Sequence, residues 1–257
     1  MIQMRSIARL AAMGGLCLLG FAARAEVPAN GQAYLDASLA AVESMSKVRN
    51  GKATLPRLAD PVEGKVLDDV WNEQAILGKR PYVAADIPAL LDIVQKQARL
   101  MQIYAQFSPD GKPADQARNK VNFQDELTRS HVFKLKAAAA ALEAIGNFDA
   151  NLKAEEKTDA RLQGLRQMRF GLLELVSAAA LALREPSLTQ PNQLLIARAF
   201  AENASAIVGG LAQADRQALA GALQAADPVL KTEAKKPISD FVKSAASAPC
   251  VGLCKLN

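Results

Sequence analysis

The sequence has a single histidine among its 257 residues, and it lacks the short motifs that mark common catalytic sites. A protein metal site needs three or four ligands, so His131 alone cannot form one. A Gly-rich phosphate loop, a nucleophile elbow and an H-E-x-x-H helix are also missing from the sequence. The adjacent acidic residues lack the turn glycine of a calcium loop. We therefore expect neither a metal ion nor a cofactor.

Aromatic residues are also scarce, at 5% of the chain, and no segment alternates β-branched with polar residues over the length of a strand. Alanine is abundant by contrast, and this combination favours closely packed helices. A chain of this length can bury a large core without a disulfide or a metal ion. The composition therefore predicts an all-α protein.

The first 25 residues have the pattern of a secretory signal peptide. Arg5 and Arg9 precede an apolar segment at 10–23, and Ala23-Arg24-Ala25 has the small-x-small form of a signal peptidase site. We expect cleavage after Ala25 and a mature protein in the periplasm or outside the cell. The mature chain contains no further apolar run of about 20 residues, the length that spans a membrane.

Cleavage would remove three arginines and no acidic residues, so the net charge falls from +5 to +2. Nucleic-acid-binding proteins concentrate their positive charge on one face. The basic residues of this sequence form no such cluster. The charge pattern therefore excludes nucleic acid as an expected partner.

The segment at 170–183, FGLLELVSAAALAL, is apolar on every face of a helix, and Glu174 is its only charged residue. A helix without a polar face avoids water only when other helices surround it. The segment is too short to cross a bilayer, which needs about 20 apolar residues. We therefore predict a bundle of about eight helices around a central apolar helix at about 159–185.

We predict a single domain over residues 26–257. An alternative is that this domain consists of two helical halves, at 32–148 and 159–246. The motivation is an internal similarity between LLDIV at 90–94 and LLELV at 172–176. The similarity fades on both sides, and buried helices commonly use these residue types. Duplication therefore stays an alternative to an undivided domain.

The mature chain keeps two cysteines, Cys250 and Cys254, which lie near the C-terminus. In an exported protein such a pair is predicted to form a disulfide. Side chains four apart on a helix have Cβ atoms about 5–6 Å apart, whereas a disulfide needs about 3.5–4.5 Å. The bridge thus requires a turn, which Pro249 and Gly252 favour. Binding of Cu(I) or redox exchange by the two thiolates is the alternative.

Glu174 breaks the apolar pattern of the predicted central helix. A carboxylate there must be neutral, paired or beside a cavity, because an unpaired buried charge costs several kcal/mol. Its own helix has no basic residue three or four positions away, so a partner must come from another helix. His131, on the same helical face as Leu127 and Leu135, is one candidate. A Glu174–His131 pair in a cleft would resemble acid–base machinery, whereas a buried Glu–Arg pair would only fix the helix register.

Two arginines enter the predicted central helix from its N-terminal side. Arg166 and Arg169 would form an anion-binding patch with Lys134 and Lys136 if the two helices lie side by side. The alternative is that these residues are the solvated end of an amphipathic helix. The candidate ligand-binding residues are therefore Glu174, His131, Arg166 and Arg169.

These patterns predict an exported, periplasmic helical protein that acts by binding, as an envelope protein-interaction or adaptor module. The partner would be an envelope protein or peptide, met through the long helix predicted at 113–148 and its flanking grooves. A small-ligand carrier with an interior pocket near Glu174 is the first alternative. An enzyme that uses Glu174 and His131 is the second, although the sequence shows no catalytic set.

Overall fold

The computed structural model describes residues 27–45, 47–49, 52–110 and 112–256. The predicted signal peptide, residues 1–25, lies outside the described residues. Within them the chain is all-α, as predicted. The eleven α-helices, numbered in chain order, are α1 Gly31–Met45, α2 Glu63–Val70, α3 Glu73–Ile76, α4 Ile87–Ala105, α5 Gln116–Asn122, α6 Gln124–Asn151, α7 Asp159–Ala182, α8 Gln190–Glu202, α9 Ala204–Gly210, α10 Gln213–Gln224 and α11 Thr232–Ser247.

The described part has eleven helices where about eight were predicted, because three of the predicted helices are each interrupted. The interruptions lie at Trp71-Asn72, at Phe123 and at Asn203. At the first of them the side-chain oxygen of Asn72 accepts a hydrogen bond from the backbone N–H of Ala75 at 3.1 Å and so starts a new helix. The apolar periodicity continues across each interruption, so the sequence pattern merges the two pieces.

One short β-hairpin follows α1, although no strand was predicted. Strand β1, Lys47–Arg49, pairs antiparallel with β2, Lys52–Thr54. Helix α1 ends at Met45, before the hairpin. The intervening sequence is Asn50-Gly51, the pair that most favours a two-residue hairpin connection. Two strands of three residues form no β-layer, so the all-α class stands.

The centre of the bundle is α6 rather than the helix predicted at 159–185. Helices α4, α7, α8 and α9 all pack against α6, and most of its residues are buried. The five alanines at 137–141 are all buried, because small side chains let neighbouring helices approach from several directions. At one contact with α9, a Cβ added to Gly210 would lie 2.7 Å from the Cβ of Leu142. The small size of its residues therefore contributes more than their apolarity to placing α6 at the centre of the bundle.

Helix α7, which was predicted to be central, is fully buried on one side only. It packs against α6 and α10, and Leu172, Val176 and Ala180 are buried in these contacts. Phe170 and Leu181 of the same helix are exposed. The predicted burial of this segment is thus confirmed for its inward side and not for its outward side.

Among the described residues, no helix has both the length and the apolarity that a membrane span requires. The predicted division into halves at 32–148 and 159–246 stays a prediction. Helix α6, which falls in the first half, packs against helices of both.

Candidate functional site

The outward side of α7 carries exposed apolar side chains. Phe170 is 60% exposed and Leu181 is 39% exposed. At 100° per residue the two side chains lie within about 20° of one direction, about three turns apart. This side of the helix, which we call the outer face of α7, comprises Gln163, Arg166, Gln167, Phe170, Glu174, Ser177 and Leu181, all exposed or half-buried.

A cavity of about 260 Å³ opens beside the C-terminal end of the outer face. Its lining residues are Lys120, Gln124, Leu127, Thr128, His131, Ala178, Leu181, Ala182, Glu185, Ser187, Leu188 and Ile196. The cavity thus lies between the start of α6 and the end of α7. An engineered cavity of about 150 Å³ in another protein accommodates benzene, so this one has room for an aromatic side chain.

Polar contacts fix the wall of the cavity. The Nζ of Lys120 lies 2.7 Å from the Oε1 of Glu185. The side chain of Gln124 donates to the carbonyl oxygen of Ser187 at 2.9 Å and accepts from the backbone N–H of Thr189 at 2.8 Å. These contacts tie the loop that follows α7 to α5 and α6. The cavity is therefore formed before any ligand binds.

His131 lines this cavity from α6. Its Nδ1 is buried and has no hydrogen-bond partner within the described part of the chain. Burial, with smaller contributions from the positive charges of Lys134 and Lys120, lowers the pKa of His131 to about 3. The imidazole is therefore neutral at physiological pH and offers one donor and one acceptor. Such a group is poorly matched to proton transfer near neutrality.

Glu174 is half-buried on the outer face, one helical turn before Ala178. It is not among the residues that line the cavity, whereas Ala178 and Leu181 are. The pocket that we expected around Glu174 thus lies one turn further along α7. The structure brings His131 to this cavity and leaves Glu174 outside its lining.

The two predicted arginines have different environments. Arg166 is exposed on the outer face. Arg169 is buried; its Nη1 donates to the carbonyl oxygen of Leu253 at 2.6 Å, and its Nε lies 3.9 Å from the Oδ2 of Asp215. Burial lowers the pKa of Arg169 below its ordinary value. Arg169 therefore holds the C-terminal segment.

Arg216 has a similar role, which the sequence analysis missed. Its Nε donates to the carbonyl oxygen of Leu211 at 3.0 Å, and its Nη1 donates to that of Ala248 at 3.1 Å. The side chain is buried, with Leu219 and Leu223 on the same side of α10. That spacing is the signal that could have identified Arg216, because an arginine on an apolar helix face must find acceptors inside the protein.

Cys250 and Cys254 form the predicted disulfide, with an S–S distance of 2.03 Å. Cys254 lies in the 3₁₀ turn Gly252–Lys255. Gly252 has a φ of 56°, in the left-handed region that glycine adopts without strain. The turn thus replaces the helix that would hold the two sulfurs apart. The disulfide closes this turn within the C-terminal tail, and the two buried arginines fix the tail on the bundle.

We expect His131→Gln to reduce the acid sensitivity of the protein. The pKa of His131 is about 3 in the folded protein and 6.5 ordinarily, so between these values only the unfolded chain binds the proton. Stability due to His131 therefore falls as the pH drops below 6.5 and is unaffected above it. Between pH 7 and pH 5 the free energy of unfolding should fall in both proteins, and the fall should be about 1–2 kcal/mol smaller in His131→Gln than in the original protein. Urea unfolding at several pH values measures this, and parallel pH profiles would contradict a His131 that stays neutral in the folded protein.

Within the residues that the structure describes, no three His, Cys, Asp or Glu side chains are grouped so as to hold a metal ion. Comparison of the chain with protein-family models, with curated proteins and with solved structures gives no match in any of the three.

Proposed function

We propose that this chain is an exported helical protein that acts by binding, as an envelope protein-interaction or adaptor module. Its docking site is the outer face of α7 together with the adjoining cavity. The long helix predicted at 113–148 is not that surface, because most residues of α6 are buried. The observation that carries the proposal is the 60% exposure of Phe170, which begins the segment at 170–183, where Glu174 is the only charged residue. A single exposed apolar residue is ordinary. Here Phe170 and Leu181 share one face and a cavity adjoins it, which is the arrangement of a binding surface.

The energetics favour an apolar protein segment as the occupant. Full burial of a side chain such as Phe170 or Leu181 contributes about 1.5–3 kcal/mol relative to leaving it exposed. A helix laid along the outer face would cover both side chains, and one of its own apolar side chains would enter the cavity. This is the helix-in-groove mode of recognition, in which a few anchors on one helix face supply most of the affinity.

Export is part of the proposal and has two supports. The first 25 residues have the pattern of a signal peptide. The Cys250–Cys254 disulfide is the second, since disulfides persist mainly in oxidising compartments such as the periplasm. Cell fractionation followed by N-terminal sequencing should find a mature chain that begins at Glu26 in the envelope fraction. A full-length chain in the cytoplasm would contradict this part of the proposal.

Site-specific photo-crosslinking in cells tests the docking site. We expect p-benzoylphenylalanine at position 170 to give one dominant protein adduct. The same probe at position 62 is the matched control, because Val62 is also an exposed apolar residue, at 73%, but belongs to another surface. A further Leu181→Asp substitution should remove the adduct at position 170, because a carboxylate in the middle of an apolar contact is costly.

Two results would refute the docking site. One is the absence of any adduct at position 170. The other is an adduct pattern that positions 170 and 62 share, because that would report chance collisions with abundant proteins. The mass of a specific adduct identifies the partner.

A small-ligand carrier is the second candidate, and the cavity with His131 is the observation that favours it. A volume of about 260 Å³ is close to the lower limit of about 300 Å³ for small-molecule pockets. Native mass spectrometry of the protein purified from its host should then show a stoichiometric small-molecule adduct. Ala178→Phe, which fills the cavity, should abolish that adduct. The third hypothesis, acid–base catalysis by Glu174 and His131, gains no support from a histidine that stays neutral.

A further inference from the structure

We infer that the outer face of α7 binds a second copy of this chain, so that two α7 helices pair antiparallel about a two-fold axis. The inference rests on the proposed function, because it names the partner of the same surface. Most soluble oligomers are two-fold homodimers, in which one patch meets its own copy. Such a patch must be complementary to itself, and the outer face of α7 meets this condition in two ways.

The first is the placement of the exposed apolar residues. In a two-fold antiparallel pair, a residue on one side of the axis meets the residue at the same distance on the other side. With the axis at the level of Glu174 and Ser177, Phe170 of one copy lies at the level of the partner subunit's Leu181. The symmetry repeats this contact at the other end. Both exposed apolar residues of the face are thereby covered in both copies, at the rim of each cavity.

The second way in which the outer face of α7 is complementary to itself is the placement of charge. In the same register Arg166, one turn before Phe170, lies at the end of the partner's α7, where the partner's Glu185 borders the cavity. Glu185 already contacts Lys120 at 2.7 Å through Oε1, and a carboxylate can accept several hydrogen bonds. A parallel pair would instead place Arg166 against its own copy. Charge therefore favours the antiparallel arrangement.

The size of the surface indicates a weak dimer. A helix of 24 residues is about 36 Å long. Pairing along one face of such a helix buries on the order of 1,000 Å² in total, which is at the low end for specific interfaces. The middle of the face carries the small side chains of Ser177 and Ala178, which permit close approach, but also Glu174. In this register Glu174 lies near its own copy, and the repulsion between the two carboxylates weakens the pair. We therefore expect a dissociation constant on the order of 10 μM.

Sedimentation equilibrium of the full mature chain from about 1 to 300 μM tests the inference. The expected result is a monomer–dimer equilibrium that Phe170→Asp weakens by at least about 30-fold. Val62→Asp is the matched control and should leave the equilibrium unchanged. Both positions are exposed, so the helical circular dichroism of the two variants should equal that of the original protein.

Charge reversal tests the register. Arg166→Glu alone and Glu185→Arg alone should each weaken self-association, because each places like charges together at both ends of the pair. An equimolar mixture of these two variants should associate again, because every such contact then joins opposite charges. Failure of the mixture to associate more tightly than either variant would overturn the antiparallel register.

The outcomes separate this inference from the proposed function. A protein that stays monomeric throughout, yet crosslinks through position 170 to a different protein, overturns the inference and leaves the proposed function intact. A dimer that Phe170→Asp does not affect also overturns the inference, because it uses another surface. A monomer without any specific crosslink at position 170 refutes both.

Discussion

Replacement of Lys134 by methionine is expected to raise the free energy of unfolding by about 2 kcal/mol at pH 7. Lys134 lies on the central helix α6 and is only 5% exposed. Its Nζ contacts the Sδ of Met101 at 3.1 Å, and among the described residues no ion pair involves it. A thioether is a weak acceptor, so the ammonium group is buried with little compensation.

The pH dependence of this gain in stability shows whether the buried charge of Lys134 is its cause. Burial lowers the pKa of Lys134 from 10.5 to about 8, so between these values the unfolded chain binds a proton that the folded protein does not. The penalty of the buried lysine is therefore complete below pH 8 and fades as the pH rises to 10.5. The advantage of Lys134→Met in urea unfolding should shrink accordingly between pH 7 and pH 10.

Lys136→Met is the matched control, because it makes the same change on the same helix. Lys136 is less buried and lies 2.7 Å from the Oε1 of Glu73, so its replacement should not stabilise the protein. A loss of stability in Lys134→Met at pH 7, or a gain that does not depend on pH, would show that Lys134 has a compensating partner.

Replacement of Glu126 by alanine is expected to lower the free energy of unfolding by about 3 kcal/mol. Glu126 is fully buried at the start of α6. Its Oε1 accepts a hydrogen bond from the backbone N–H of Leu58 at 2.7 Å and one from the Nε of Arg57 at 3.1 Å. These bonds attach the segment before α2 to the central helix. Alanine would leave the backbone N–H of Leu58 and the Nε of Arg57 without this acceptor.

Glu126→Gln keeps a carbonyl oxygen for the Leu58 amide and removes only the charge, so it should cost about 1 kcal/mol. Urea unfolding gives both values, and amide hydrogen exchange at Leu58 should accelerate more in the alanine variant. Stability of Glu126→Ala within about 0.5 kcal/mol of the original protein would mean that this segment contributes little to the fold.

The fold class was predictable because helical periodicity is local and continues over many residues. The identity of the central helix was not, because the sequence shows how apolar a helix is but not how closely its neighbours approach. The alanines at 137–141 of α6 are less apolar than the leucines of α7, yet four helices pack against α6 and bury all five of these alanines. Which helix becomes central depends on contacts between segments that are far apart in the sequence.

The candidate site was predictable only in part for a related reason. The segment at 170–183 indicated an apolar surface that had to be covered, but a sequence pattern cannot show whether the cover comes from the same chain or from another one. The buried cations Arg216 and Lys134 were not predicted either. Their long aliphatic stems let them occupy inward positions, and the carbonyl oxygens that Arg216 contacts lie in distant parts of the chain.

Hydroxyl-radical footprinting of the mature protein at low and high concentration would test whether α7 presents an open apolar face. Side-chain oxidation at Phe170 and Leu181 reports their contact with water, and Leu172 and Val176 on the inward side serve as internal references. We expect rapid oxidation of Phe170 and Leu181 in dilute protein, slower oxidation in concentrated protein, and little oxidation of the references throughout. Protection of Phe170 in the dilute monomer would contradict the binding surface on which both proposals depend.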